Sequence, residues 1–200
     1  MKRLLIVLII FFSYTSYSQI NATTVDGKLE GKVKYIGYSG DNEAAMWAVK
    51  SNLFDTLQTS YSIADQRART KNILTEAKSR NLGIIAKRPI GNAALLGVKN
   101  HYKGQTHDHF GSAYDEYFTR IMEMTENIEI ELNEIDPIEL SMAFTLYRKE
   151  INVIIIGSKN NHHVEQNLDY MGKNLKIYQN LIKQYENIYE KLDENWRQLT

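Results

Sequence analysis

From Lys32 onward the apolar positions fall into two alternating patterns. Four short runs, 33–38, 54–58, 82–86 and 153–156, are apolar-rich and nearly continuous. Runs of this length predict strands, and their continuity predicts burial on both faces, as in a parallel sheet covered by helices. Between them, apolar residues recur at three- and four-residue spacing. That spacing predicts a helix over 41–51, with Asp41 placed to cap it and Ala44, Ala45, Trp47 and Ala48 packing inward. A second helix is expected over 67–80, with Ala68, Ile73, Leu74 and Ala77 inward, and another over 113–125. The stretch 97–111, containing glycine and histidine, predicts a long loop. Asp136-Pro137-Ile138-Glu139 predicts a helix start, with aspartate as cap, proline first and glutamate three after the cap. That helix is expected to run to about Tyr147, and a further one to begin near Asn161.

Strand–helix repetition of this kind gives an α/β fold with right-handed crossovers. The tail, 174–196, predicts a long amphipathic helix. Leu175, Tyr178, Ile182, Tyr185, Ile188, Leu192 and Trp196 would form one stripe. Such a stripe is expected to pack on the chain's own fold, with a partner-binding seam as the alternative.

The N-terminus breaks the pattern. Lys2 and Arg3 precede an apolar run over 4–12, and Ser16-Tyr17-Ser18 stands before Gln19. A charged start, a short apolar core and a small-x-small end predict a signal peptide over 1–18, too short to span a bilayer. The expected organisation is therefore a leader over 1–18, a short lead-in over 19–31 and one domain over 32–200. It implies a secreted or periplasmic protein with no stable membrane anchor after cleavage. The chain has no cysteine, so neither a disulfide framework nor a cysteine-linked lipid anchor is available. With 24 basic and 24 acidic side chains, nothing in the charge favours a nucleic-acid partner.

In parallel α/β folds, ligands bind at the carboxyl ends of strands. The predicted strand ends here are rich in polar groups. The first delivers Ser39-Gly40-Asp41, the second Gln58 and Thr59, the third Lys87 and Arg88. The fourth delivers Gly157-Ser158-Lys159-Asn160, ahead of His162 and His163. A helix N-terminus with free N–H groups binds anions, and Lys159 and the histidines add donors for a phosphate. Serine and asparagine at such a place also serve simply as caps. Two other groups point to chemistry less directly. His101 with His107-Asp108-His109 has no helical ligand spacing, so no metal site is expected. Asp55 and Asp65 could form an acid pair, although Asp65 suits a cap for the following helix.

The strand-end motifs also resemble, in order, those of the aldo/keto reductase family. They are Lys32-Val33-Lys34-Tyr35-Ile36-Gly37-Tyr38-Ser39, Phe54-Asp55-Thr56-Leu57-Gln58 and Ile84-Ile85-Ala86-Lys87-Arg88-Pro89-Ile90. Asp136 to Leu146, Ile154-Ile155-Ile156-Gly157-Ser158-Lys159-Asn160, His163 and Asn167 follow, and the resemblance runs from about Glu30 to Thr200. It implies a partial (β/α)8 TIM-type barrel of about four parallel strands with helices, plus the long C-terminal helix.

It also implies an NADP(H) rim. Ser39 and Gln58 would contact the carboxamide. Lys87 would lie at the nicotinamide, with Arg88 next to it on the same cofactor rim. Gly157, Ser158, Lys159, Asn160, His163 and Asn167 would lie near the adenosine phosphate, and Gln166 near the adenine. Gly40 stands where an asparagine is common, Lys87 where an aromatic ring stacks, His163 where an arginine is usual and Gln166 where a glutamate is usual.

The family's catalytic Asp, Tyr, Lys and His come from its first four strands. Here the predicted leader runs almost directly into the fifth-strand motif, and no histidine precedes His101. No catalytic residue is therefore expected, although Lys87 with Tyr61 or His107 is a conceivable substitute. The expected function is an exported, reductase-like protein that keeps part of the cofactor rim without independent reductase activity. The alternatives are an NADPH-dependent carbonyl oxidoreductase completed by a second chain, and an interaction module using its open sheet edge. A homodimer or a complementing barrel half is the expected partner, because a half barrel leaves two apolar edges open.

Overall fold

Each apolar block becomes a short strand, and a helix returns the chain to start the next. The structure, a computed structural model, describes residues 28, 30–104, 112–128, 134–158, 160–193 and 196. The expected leader, Lys159 and His107 to His109 lie outside the described residues. β1 (Gly37–Ser39) leads to α1 (Asn42–Ser51), and β2 (Thr56–Ser60) to α2 (Arg67–Thr70) and α3 (Ile73–Ser79). β3 (Gly83–Lys87) leads to α4 (Ala94–Tyr102), α5 (Ser112–Thr125) and α6 (Pro137–Tyr147). β4 (Val153–Ile155) is followed by α7 (Asn161–Gly172) and α8 (Gln179–Leu192). The four strands form one parallel sheet in the order β1-β2-β3-β4. Among the described residues no helix is long and apolar enough to cross a membrane.

The register sorts the strand residues onto two faces, since paired residues in a sheet point the same way. Tyr38, Leu57 and Ile84 form one row, and Thr59, Ala86 and Ile154 the next. These rows lie under the helices: Leu57, Ile84 and Ala86 are wholly buried, and Tyr38 packs partly buried against the same core. The opposite face carries Ser39, Gln58, Ile85 and Val153, then Ser60, Lys87 and Ile155. Ser39 and Ile155 are exposed there, and Gln58, Ile85, Lys87 and Val153 only half-buried. The expected burial on both faces is therefore corrected to burial on one. Lower on that open face, Thr56 sits between Gly37 and Gly83; a Cβ at Gly37 would lie 2.3 Å from the Thr56 hydroxyl oxygen.

Several boundaries move. β1 begins at Gly37, not residue 33, and Val33 and Tyr35 before it are exposed. Trp47 of α1, expected inward, is 49% exposed and touches Tyr38 edge-on. The helix expected over 67–80 is broken where Asn72 takes a left-handed φ of 59°. The expected loop over 97–111 is overturned for its first part, because α4 runs through Gly97 to Tyr102. Ala94, Leu95 and Val98 are buried along it, and Gly97 lets α5 approach closely. The glycine at 97 marks a packing contact rather than a turn.

The helix start at Asp136 is as expected. Its carboxylate accepts hydrogen bonds from the N–H groups of Ile138 and Glu139 at 2.9 and 3.1 Å. Glu139 accepts from Lys173 and Tyr178. The tail packs on its own chain, with Ile182, Tyr185 and Tyr189 fully buried. Arg67 donates to the Trp196 carbonyl at 3.0 Å, and the Trp196 indole N–H donates to Glu123 at 2.7 Å. The Arg120 guanidinium lies 5.0 Å from the Trp196 ring.

A Cβ at Gly97 would overlap the Tyr114 hydroxyl oxygen, with the Tyr114 and Phe118 rings at 3.2 and 3.3 Å behind it, so Tyr114 or the helix spacing must shift to admit a larger residue. Gly97→Ala is expected to cost about 1–3 kcal/mol despite alanine's better helix propensity. Urea unfolding monitored by circular dichroism measures it; a stabilised variant would show that the helices separate freely.

Candidate functional site

The carboxyl ends of β1, β2 and β3 meet at one carboxylate. Asp41 leaves β1 in an extended conformation and its side chain makes no cap bond to α1. This corrects the expectation that it caps the helix. Its Oδ1 instead accepts from the Ser60 backbone N–H at 2.6 Å and from the Thr59 hydroxyl at 3.0 Å. Its Oδ2 lies 2.9 Å from the Lys87 ammonium. Two elements of β2 and the last residue of β3 are thereby tied to the exit of β1. Burial pushes the Asp41 carboxyl up, but the Lys87 charge and the donors from Ser60, Lys87 and Thr59 more than offset it. The group titrates below the ordinary aspartate value of 3.8.

Beside this node, the Gln58 amide N–H donates to the Ser39 hydroxyl at 3.4 Å. Gln58 Oε1 is buried and has no hydrogen-bond partner among the described residues. Arg88 takes a left-handed φ of 55°, unusual for a non-glycine residue, and its guanidinium turns back to the Ser60 hydroxyl at 2.9 Å. Lys87 and Arg88 are thus committed to two different acceptors. Asp65 and Tyr117, both buried, lie within electrostatic reach of Asp41. Burial holds the Asp65 carboxyl above its usual range despite Arg67 and Arg120 nearby. Burial, with Asp65 close by, pushes the Tyr117 hydroxyl up to about 12.

The end of β4 is built differently. Gly157 and Ser158 are exposed, and the Asn160 N–H donates to the Ser158 hydroxyl oxygen at 3.2 Å. Asn160 Oδ1 accepts from the His162 N–H at 2.9 Å, so the plain capping role is realised. His163 is exposed, with its ring centroid 6.4 Å from that of His162; Gln166 and Asn167 are half-buried one turn on. Among the described residues, no hydrogen bond or ion pair joins this group to the first three strand ends.

Other candidates separate. Asp55 lies before β2 and binds the Lys28 ammonium at 2.6 Å and the Ile36 N–H at 2.9 Å; the Lys28 bond holds its carboxyl below the usual range. Asp65 lies beyond the other end of β2 and accepts from the Arg67 N–H at 3.4 Å, near the expected cap role. The two acids form no pair. Tyr61 is wholly buried, stacked on Phe144 at 5.4 Å, and burial pushes its hydroxyl well above the usual range. It cannot serve Lys87 as an acid toward substrate. His101 is exposed against Phe118 and Tyr102, and among the described residues no three metal-ligating side chains come together. Sequence reasoning missed the Asp41–Lys87 pair and Tyr117. The available signal for the pair was an acid at one predicted strand end and a cation two strands along.

Because the folded pKa of Asp41 is depressed, its contribution to stability is full above 3.8 and is lost as pH falls through the lower folded value. Asp41→Asn is expected to lose about 1–3 kcal/mol at pH 7, with Lys87 left without its counter-charge. The gap to the parent chain should close in strong acid. Denaturation at both pH values measures this; a gap that stays constant would sink the electrostatic assignment.

A model of the aldo/keto reductase family matches residues 5–190. Among solved structures, aldo-keto reductase AKR11C1 from Bacillus halodurans in its holo form aligns at 16% identity with a TM-score of 0.55, over 74% of this chain and 48% of that one. Its apo form aligns with the same score and identity, over 49% of its length. A thermostable aldo-keto reductase in complex with the inhibitor epalrestat gives 0.54 at 16% identity, over 82% of this chain and 53% of that one. The chain therefore spans about half the length of the solved relatives it matches. The comparison with curated proteins returned no match. The likeness in structure fits a parallel α/β sheet that forms part of a (β/α)8 barrel. The family model covers most of the chain, and the chain belongs to the aldo/keto reductase family.

Proposed function

We propose that this chain is exported, holds NADP(H) weakly at its strand-end rim, and does not by itself reduce a carbonyl. The observation that carries the cofactor reading is Gln58 Oε1, a buried acceptor without a donor, beside the Ser39 hydroxyl. An amide acceptor and a neighbouring hydroxyl suit a carboxamide, which brings both a donor and an acceptor. Gly157, Ser158, Lys159, Asn160, His163, Gln166 and Asn167 would take the adenosine-phosphate side, following the family pattern. The fit is weaker elsewhere. Lys87 gives no aromatic face for stacking, and Asp41 neutralises its charge. An imidazole at His163 grips a phosphate less firmly than a guanidinium fork.

When bound, the cofactor supplies a hydride; the chain's residues must supply the proton. Tyr61 is sealed in the core, and Tyr38 lies on the helix-covered face. The family pattern draws its general acid from strands other than those carrying these motifs, so the rim is expected to bind and orient a cofactor without one. Export rests on the charged, apolar and small-residue pattern over 1–18. A second reading, a reductase completed by another barrel half, is favoured by the open face of the sheet.

Titration with NADPH, followed by cofactor fluorescence, tests the first reading. Saturable binding is expected, weakened about five- to ten-fold in Gln58→Ala, the size of one lost hydrogen bond. The same preparation should consume no NADPH with aldehydes or ketones. Turnover by the purified chain alone, or no binding at millimolar cofactor, would refute the proposal.

A further inference from the structure

Exposed apolar side chains gather at the two ends of the sheet. Val33 and Tyr35 lead into β1, at 42% and 67% exposed, and Trp47 lies beside it at 49%. Ile155 of β4 is 44% exposed, and Val164, Leu168 and Met171 of α7 are 46%, 52% and 38% exposed. The three α7 residues follow at four- and three-residue spacing, so they form one stripe. Tyr170 is the only residue of α7 that is buried. A helix that hides one residue and turns its apolar stripe outward lacks a neighbour.

The exposed charges beside the two ends differ in part: Lys34 and Lys32, the latter paired with Glu30, precede β1, while Glu165 and Asp169 flank the α7 stripe, with Lys173 after it bound to Glu139. In a βα unit the helix runs back against its strand, so the later part of α7 and the lysines lie towards the same, N-terminal end of the sheet.

We propose that two copies of this chain close one ring, with β4 of each copy adding in parallel to β1 of the other. A two-fold axis along the strands keeps all of them pointing one way, so each new pairing is parallel and eight strands close a barrel. The edge strands match in length, at three residues each. Each copy carries four parallel strands among its described residues, so two copies bring eight. In the ring, α7 of one copy lies beside α1 of the other, which brings its stripe to Trp47 and its carboxylates to the basic lead-in. Pairing β4 with β4 would instead set Glu165 and Asp169 against their own copies. Both complementary edges reside on one chain, which is why a second copy, rather than a different protein, fits. The inference does not depend on cofactor binding.

Light scattering on the full chain at near-physiological salt should give twice the chain mass. Leu168→Glu should give a monomer with unchanged circular dichroism. Leu96→Glu, at a similarly exposed position on α4, should stay dimeric. The chain has no cysteine, so thiol cross-linking is clean. The double variant Trp47→Cys/Leu168→Cys should yield a covalent dimer with a short bismaleimide, and neither single variant should. This arm holds even if Leu168→Glu fails to fold. A monomeric parent chain, with its edges covered by residues 1–27 or left for another protein, would overturn the inference. So would a covalent dimer from Leu168→Cys alone.

Discussion

The Asp41 carboxylate fixes how the first three strands end. Its two oxygens reach a hydroxyl and a backbone N–H of β2 and the ammonium of β3. Burying a charge is costly, so the site persists only because each oxygen finds a partner. The choice has a local cost, since α1 gives up a side-chain cap, typically worth about 1 kcal/mol. It also determines what the rim offers a ligand. Lys87 is held and neutralised, Arg88 is drawn back over Ser60, and the amide oxygen of Gln58 is left without a donor among the described residues.

The strand–helix order was legible because period and length are local properties. The runs ending at Gln58, Ala86 and Ile156 lie within two residues of the observed strand ends, and the cap at Asp136 forms as its motif implies. Gly97 was misread because a glycine that permits a turn and one that permits a close helix approach look alike in sequence. Only the position of Tyr114 on α5 distinguishes them. Asp41 was misread for a related reason. An aspartate before a helix is a cap unless a stronger partner is nearer, and that partner lies on β3. Its proximity follows from the register Ser39 to Gln58 to Ile85, which periodicity does not contain. The rim residues Ser39 and Gln58, by contrast, were found from their place at strand ends, and they do meet.

The two faces of the sheet show the same division between local and distant causes. Apolar continuity suggested burial on both sides, yet the helices cover one side only. The inner strands alternate in exposure as a half-buried sheet does: Leu57 and Ile84 are closed off, while Gln58 and Ile85 are partly open. Their sequence is that of a sheet whose second face expects company. A closed ring would provide it, because each open-face residue would then look across at another strand rather than at water.

One unsatisfied polar group, at the rim, and the uncovered apolar groups at the edges share one structural account. Gln58 Oε1 lacks a donor on the open face, and Ile155 lacks cover on the same face. The α7 stripe and the outer part of Trp47 are left uncovered at the two ends of that sheet. Polar and apolar deficits have different physics, since one needs a directional partner and the other only the removal of water. They call for different occupants: a small ligand with paired donor and acceptor at the rim, and protein at the edges. Filling the edges would also narrow the open face and shield the rim from water, which strengthens every hydrogen bond made there. Closure of the barrel and affinity at the rim would therefore be coupled reciprocally: whatever closure adds to ligand binding, a bound ligand adds to closure.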